Sequence, residues 1–288
     1  MNFLRRCFIP LVVVATGAAF GSVAAQDTPA AQISIELKKG FVIVARGSVG
    51  TLKNLTFVVD TGTSRTIVNS GIAKELHLNS VPYKLMILDH DVDAQIVELP
   101  SLEFGPISAE FMKVFVMDLS GVARRFGIRA DAVIGMDVLR RHSFTINYTL
   151  RQIGFGSGDH LLHHSVQLKA LGEPYSVVEA QINGRVVSLM VDTGFDGLLL
   201  FSDRLPKENR QHLAEIERSA SGVAGQVLLS QASSAQLKIG DLRAYKVCPL
   251  LVDTGGRNLG AFDGILGARA LQLSSVRFDY ERNTLSWE

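Results

Sequence analysis

The chain has 288 residues, 47% of them hydrophobic and 20% charged, which is enough apolar material for one large domain or two small ones. Its formal net charge of +1 removes any general electrostatic reason to expect nucleic acid or an anionic membrane as partner. Of its two cysteines, Cys7 falls in the leader described next, so Cys248 is left alone and no internal disulfide is expected.

Taken in chain order, residues 1–25 read as a signal peptide. Arg5 and Arg6 form a short basic region, Phe8 to Val23 is mostly apolar and small, and Val23-Ala24-Ala25 fits a small-residue cleavage site before Gln26. Export to the periplasm or beyond is therefore expected, and no later segment is apolar for long enough to span a bilayer. Ile33-Ser34-Ile35-Glu36-Leu37 alternates as a half-buried strand, and Phe41 to Ala45 is an apolar, β-branched run. A further strand, Phe57-Val58-Val59, runs into Asp60-Thr61-Gly62-Thr63. Short helices are expected at Ser70 to Leu76, Met136 to Arg141 and Lys207 to Arg218.

Asp89-His90-Asp91-Val92-Asp93-Ala94 alternates three acids. It fails as a calcium loop, because Ala94 stands where glycine is needed and Pro100 stands at the twelfth position, so it reads as an acidic hairpin. Gly154-Phe155-Gly156-Ser157-Gly158-Asp159 is a glycine-rich linker. The histidines that follow it, His160, His163 and His164, lack acidic or cysteine partners at ligand spacing and read as exposed linker, so no metal is expected. Tyr175 to Ile182, then Asn183-Gly184, then Arg185 to Val191 is a hairpin that ends on Asp192-Thr193-Gly194-Phe195. Ser221 to Gln226 is glycine-rich, and Cys248 before Pro249 reads as a small buried hydrophobe.

The chain repeats itself. Asp60 and Asp192 are separated by 192 − 60 = 132 residues, Gly135 and Gly267 by 267 − 135 = 132, and Tyr148 and Tyr280 by 280 − 148 = 132. In each half an apolar-apolar-Gly element, Val133-Ile134-Gly135 or Ile265-Leu266-Gly267, follows the Asp-Thr-Gly turn. The organisation expected is a signal peptide at 1–25, a first lobe at 26–156, a linker at 157–164 and a second lobe at 165–288. A third Asp-Thr-Gly, Asp253-Thr254-Gly255, falls off the repeat and reads as a turn after a strand.

Two carboxylates on equivalent turns suggest one shared site. Glycine lets each turn be approached closely, and threonine can donate its hydroxyl to a neighbouring backbone group and lock the turn. Like charges brought that close cannot both ionise, so the pair would hold one proton, with one member activating water and the other hydrogen-bonding a carbonyl. Thr63 can donate to Asp60 while Phe195 in the matching place cannot, which makes Asp60 the expected base.

Val58 to Ser64 with Ala132 to Leu139, and Val191 to Phe195 with Asp263 to Gly267, resemble the aspartic proteases of the retropepsin and pepsin clan, and bacterial retropepsin-like aspartyl proteases in particular. That resemblance covers nearly the whole chain after the leader. It implies an all-β fold of two homologous β-barrel lobes with pseudo-twofold symmetry and a few short helices. It also implies peptide-bond hydrolysis by Asp60 and Asp192 in a monomer acting on a peptide or protein substrate, without metal or organic cofactor. Thr61, Gly62, Thr63, Thr193 and Gly194 would shape the two turns, and Gly135 and Gly267 would brace them. The mobile flap of the family falls at Asp91 and Val92 in one lobe and at Val223 and Gly225 in the other, and the acids of the first would favour basic substrate side chains. A relative that has kept the fold but only binds peptides, or joins an envelope assembly, is the alternative, with a glycosidase-like pair of carboxylates as a third.

Overall fold

A computed structural model describes residues 31–156, 162–169, 174–205, 216–222, 225–271 and 273–288. The expected signal peptide, most of the expected linker, His160 and Val223 lie outside the described residues.

Period-2 patterning builds the sheets. The strand Ala235–Ile239 buries Ala235, Leu237 and Ile239 and exposes Gln236 and Lys238, so one face of it is dry. The strands that carry the two carboxylates are apolar on both faces where they end. Phe57, Val58 and Val59 are buried, as are Leu189, Met190 and Val191, because each strand end runs between neighbours inside a lobe. The fold is all-β, with two barrel-like sheets and short helices.

In the first lobe, the strand Leu52–Val59 pairs antiparallel with Val42–Val49 and parallel with Ala132–Ile134. In the second, Arg185–Asp192 pairs antiparallel with Val177–Ile182 and parallel with Gly264–Gly267. The registers coincide. Val58 faces Val133 and Met190 faces Ile265, with 190 − 58 = 132 and 265 − 133 = 132. Asn183 and Gly184 both have positive φ, 50° and 79°, the turn expected of that dipeptide.

A third sheet, of six strands, joins the lobes. At its centre Phe144–Asn147 pairs antiparallel with Ser275–Asp279, placing Thr145 opposite Arg277. Since 277 − 145 = 132, the pseudo-twofold axis passes through this pair. Phe144 and Phe278 stack at 4.8 Å, both fully buried.

Three expectations need correction, and one helix was not anticipated. The stretch Ile33 to Leu37 is two strands, Gln32–Ser34 in the joining sheet and Glu36–Lys38 in the first lobe. Between them buried Ile35 bonds to the Arg151 carbonyl, because a single strand cannot serve two sheets. The helix expected at Lys207 to Arg218 fails at its described end, where Ile216–Gly222 is a strand; cross-strand pairing with Gly225–Gln231 overrides local propensity there, and 207–215 lie outside the described residues. The helix Ser120–Phe126, closed by Gly127 at φ 68°, was not expected from its short pattern. Cys248 is exposed, since it follows the edge strand Tyr245–Val247, which pairs on one side only. The helices Ser70–Glu75 and Met136–Leu139 lie where expected.

Replacing Phe278 with Ala should cost roughly 3–5 kcal/mol in denaturant-induced unfolding, because it empties the centre of the joining sheet. Replacing exposed Leu150 with Ala should change stability by about 0.5 kcal/mol or less.

Candidate active site

Both carboxylates end strands whose positions the parallel ladders set. The Asp60 N–H donates to the Ile134 carbonyl at 3.1 Å, and Asp192 closes the strand Arg185–Asp192. Upstream, Asp131 accepts from the Thr56 N–H and Asp263 from the Ser188 N–H, each at 2.8 Å. These are equivalent bonds, since 188 − 56 = 132 and 263 − 131 = 132, and they set both ladders alike. Within each turn the glycine N–H donates to the aspartate: Gly62 to Asp60 Oδ1 at 2.8 Å and Gly194 to Asp192 Oδ1 at 2.7 Å. Asp60 is 6% exposed and Asp192 0%.

The threonines do not lock their own turns, as the sequence suggested, but reach across to the other lobe. Thr61 Oγ1 donates to the Val191 carbonyl at 2.8 Å and accepts from the Thr193 N–H at 3.0 Å. Thr193 Oγ1 donates to the Val59 carbonyl at 3.4 Å and accepts from the Thr61 N–H at 3.1 Å. The glycines permit this approach: a methyl group on Gly62 would overlap the Asp192 carboxyl, and one on Gly194 would lie 2.8 Å from Asp60 Cγ. Gly135 and Gly267 are equally confined, against the backbone of Thr63 and Arg65 and the backbone of Phe195 respectively.

Protonation separates two otherwise matching groups. Burial pushes Asp60 up, opposed by hydrogen bonds with Asp192, the Gly62 N–H and the Thr63 hydroxyl. Thr63 Oγ1 lies 3.2 Å from Asp60 Oδ2. Burial pushes Asp192 well above the carboxylate range, and the Asp60 charge pushes it further. Asp192 Oδ2 is buried and has no hydrogen-bond donor among the described residues. Burial thus raises both members of the pair, the environment of two carboxyls that cannot both ionise. Phe195 is fully buried and its side chain offers Asp192 no donor.

Asp137 and Thr66 carry a brace that sequence reasoning missed. Asp137 Oδ1 accepts from Thr66 Oγ1 at 2.7 Å, and both its oxygens lie 2.9 Å from the Thr66 N–H. Thr66 Oγ1 in turn accepts from the Gly135 N–H at 3.2 Å, and the Met136 N–H holds the Thr63 carbonyl at 2.8 Å. Part of the Asp137 residue reaches solvent, but its carboxyl is enclosed, and burial pushes it up to about 6. The second lobe has Leu198 and Arg269 at the matching places, 66 + 132 and 137 + 132, and there the Gly267 N–H bonds directly to the Gly197 carbonyl at 2.7 Å. This break in the repeat was the available signal.

The remaining candidates lie in hairpins. Asp91 and Val92 belong to the hairpin of Val81–Ile87 and His90–Phe104, turned by Leu88 and Asp89. Its acids already have basic partners on the protein: Asp89 with His90 at 2.6 Å, Asp91 with Arg257, and Asp93 with Lys84. Gly225 opens the second strand of the hairpin in the other lobe, opposite Gly222. Asp253, exposed after the strand Leu250–Val252, stands apart from the carboxylate pair. Of the linker histidines, His163 pairs with Glu288 and His164 with Asp241.

The model of the aspartyl protease family matches residues 42–138 and, a second time, residues 178–270. The chain belongs to the aspartyl protease family. Comparison with curated proteins gives no match. Each matched stretch of this aspartyl protease family member holds one Asp-Thr-Gly turn on the repeat, its parallel ladder and its bracing glycine.

Thr61→Val keeps the shape but removes a donor to Val191 and an acceptor for Thr193, and should cost roughly 2–6 kcal/mol in unfolding. Asp137 is raised above its unfolded value of 3.8, so the folded chain holds more protons than the unfolded chain between about pH 4 and about pH 6, and stability falls as pH rises through that window. In Asp137→Asn this fall should be shallower, as measured by denaturant midpoints across the window.

Proposed function

We propose that this chain is an exported aspartic-type endopeptidase that hydrolyses peptide bonds in peptides or proteins with a water activated by Asp60 and Asp192. The observation that carries the reading is the carboxyl pair itself: two aspartates, one from each lobe, buried together by crossed threonine bonds, with a hydroxyl donor beside Asp60 alone.

Asp60, ionised, takes a proton from a water held between the carboxyls as the water oxygen attacks the carbonyl carbon. Asp192, protonated, hydrogen-bonds the carbonyl oxygen and gives it its proton as charge develops there. The product of attack is a neutral tetrahedral diol, with no covalent bond to the enzyme. On collapse, Asp60 returns its proton to the leaving nitrogen, the C–N bond breaks, and Asp192 recovers a proton from the diol. Each carboxyl thus ends as it began. Thr61 and Thr193 hold the two turns at one separation, Gly62 and Gly194 allow that separation, and Thr63 favours the charged form of Asp60. Since both carboxyls come from one chain, a monomer suffices, and the reading of residues 1–25 as a signal peptide places the activity outside the cytoplasm.

Asp60→Asn and Asp192→Asn should each abolish cleavage of a mixed peptide library from acid to neutral pH, and a statine-type mimic of the tetrahedral state should block the parent protein. Robust cleavage by either variant refutes the mechanism. Removing the Thr63 hydroxyl withdraws a bond that favours ionised Asp60, so in Thr63→Ala the acid limb of kcat/KM should move to higher pH.

A further inference from the structure

Tyr148 and Tyr280 stand one repeat apart, each directly after a central strand of the joining sheet, Phe144–Asn147 or Ser275–Asp279. The second-lobe hydroxyl belongs to a chain of bonds that leads to the crossed threonines. Tyr280 Oη lies 3.2 Å from Ser176 Oγ. The Ser176 carbonyl accepts the Val191 N–H at 2.8 Å, and the Val191 carbonyl accepts from Thr61 Oγ1 at 2.8 Å. Val191 immediately precedes Asp192. One phenol thus braces a strand end that carries a carboxyl, and its hydroxyl is satisfied in doing so.

The first lobe has the tyrosine without the serine. Val44 stands one repeat before Ser176, 176 − 132 = 44, and Ile43 is the residue that faces Val59 in the ladder. Neither offers a hydroxyl. Val59 answers Val191 in the repeat, and its carbonyl accepts from Thr193 Oγ1 at 3.4 Å. The symmetry that brings Tyr280 to the Val191 strand end brings Tyr148 to the Val59 strand end, where Thr193 crosses over. Tyr148 Oη is buried there without a hydrogen-bond partner among the described residues. Asp192 Oδ2, on the residue before Thr193, is in the same condition. Burial pushes the Tyr148 phenol up and the Asp192 charge pushes it further, whereas on Tyr280 the influences beside burial are Ser176 and Arg140.

Leaving either atom unpaired in the interior is costly, and the two lie near enough to interact but make no direct bond. One water satisfies both, since it can accept from the phenol while it donates to the carboxyl. We propose that Tyr148 Oη and Asp192 Oδ2 share a single buried water, which makes Tyr148 a positioning residue for Asp192. What the bridge does for catalysis rests on the peptidase reading above, but its existence does not. In that reading Thr63 gives Asp60 a donor directly, and Tyr148 gives Asp192 one through the water. A donor to the carboxylate favours its charged form, so the bridge lowers the pH at which Asp192 loses its proton. Among the described residues, the titratable groups that bear on Asp192 are Asp60 and Tyr148.

The test compares Tyr148→Phe with Tyr280→Phe, each of which removes one hydroxyl and keeps the ring. Carboxyl carbon NMR of aspartate-labelled protein follows the pair, with the Asp192 signal assigned by its loss in Asp192→Asn. In Tyr148→Phe the upper of the pair's two titrations should move to higher pH, by up to about tenfold in proton affinity, and the basic limb of kcat/KM should follow it. Tyr280→Phe should leave both in place. A crystal structure of the parent should hold a water within hydrogen-bond distance of Tyr148 Oη and Asp192 Oδ2, and that of Tyr148→Phe should lack it. An upper titration unmoved by Tyr148→Phe, or moved equally by Tyr280→Phe, overturns the proposal, as does a parent crystal structure without that water. The titration and the water need no turnover: a parent protein that cleaves no peptide would sink the peptidase reading and leave the bridge standing.

Discussion

Two threonine hydroxyls hold the halves of this chain together where its carboxyls meet. Each donates to a carbonyl of the opposite strand and accepts the N–H of the opposite threonine, so four hydrogen bonds close a ring across the lobe boundary. Every other feature of the site follows from that ring. It requires glycine after each threonine, because a side chain there would occupy the facing carboxyl. It packs the two turns against each other, and burial is the main cause that raises each aspartate. The joining sheet, with Thr145 and Arg277 on the axis, carries the same symmetry and keeps the ring aligned.

Symmetry brings the carboxyls together and departures from it divide their work. Thr63 gives Asp60 a hydroxyl donor and Phe195 gives Asp192 none. The brace of Thr66 and Asp137 exists in the first lobe alone, so the loop holding Thr63 near Asp60 is the more heavily tied of the two. A buried pair that shares one proton needs some such bias if one member is to act as base. The same pattern continues away from the pair: the Tyr280 hydroxyl meets Ser176 at 3.2 Å, while Val44 stands at the place that would answer the Tyr148 hydroxyl, 176 − 132 = 44.

Much of the fold was legible because local signals and global structure agree. Alternation marked the strands around Asn183-Gly184, and the constant offset marked the lobes. The misreadings have physical causes. Ile33 to Leu37 alternates without interruption, yet its two ends serve different sheets, a division no local pattern encodes. Cys248 follows a strand and looked buried, but that strand is an edge. The sequence suggests local locks at the threonines because a hydroxyl's nearest acceptors in sequence are local, whereas their acceptors in space are more than a hundred residues away.

The sequence by itself determined the repeat, the placing of Asp60 and Asp192 at the ends of apolar strands, and the glycines that allow close approach. These depend on periodicity and turn chemistry, which act over a few residues. The repeat singled out two of the three Asp-Thr-Gly turns, and only the tertiary structure decided how those two meet. All three copies make the same local bond from the glycine N–H to the aspartate, at 2.8, 2.7 and 2.8 Å, so nothing within the motif tells them apart. The threonine hydroxyl distinguishes them by its partner: Thr61 and Thr193 find each other's strands, and Thr254 finds Asp203. That choice rests on which strands the sheets bring side by side, and a three-residue motif carries no record of it.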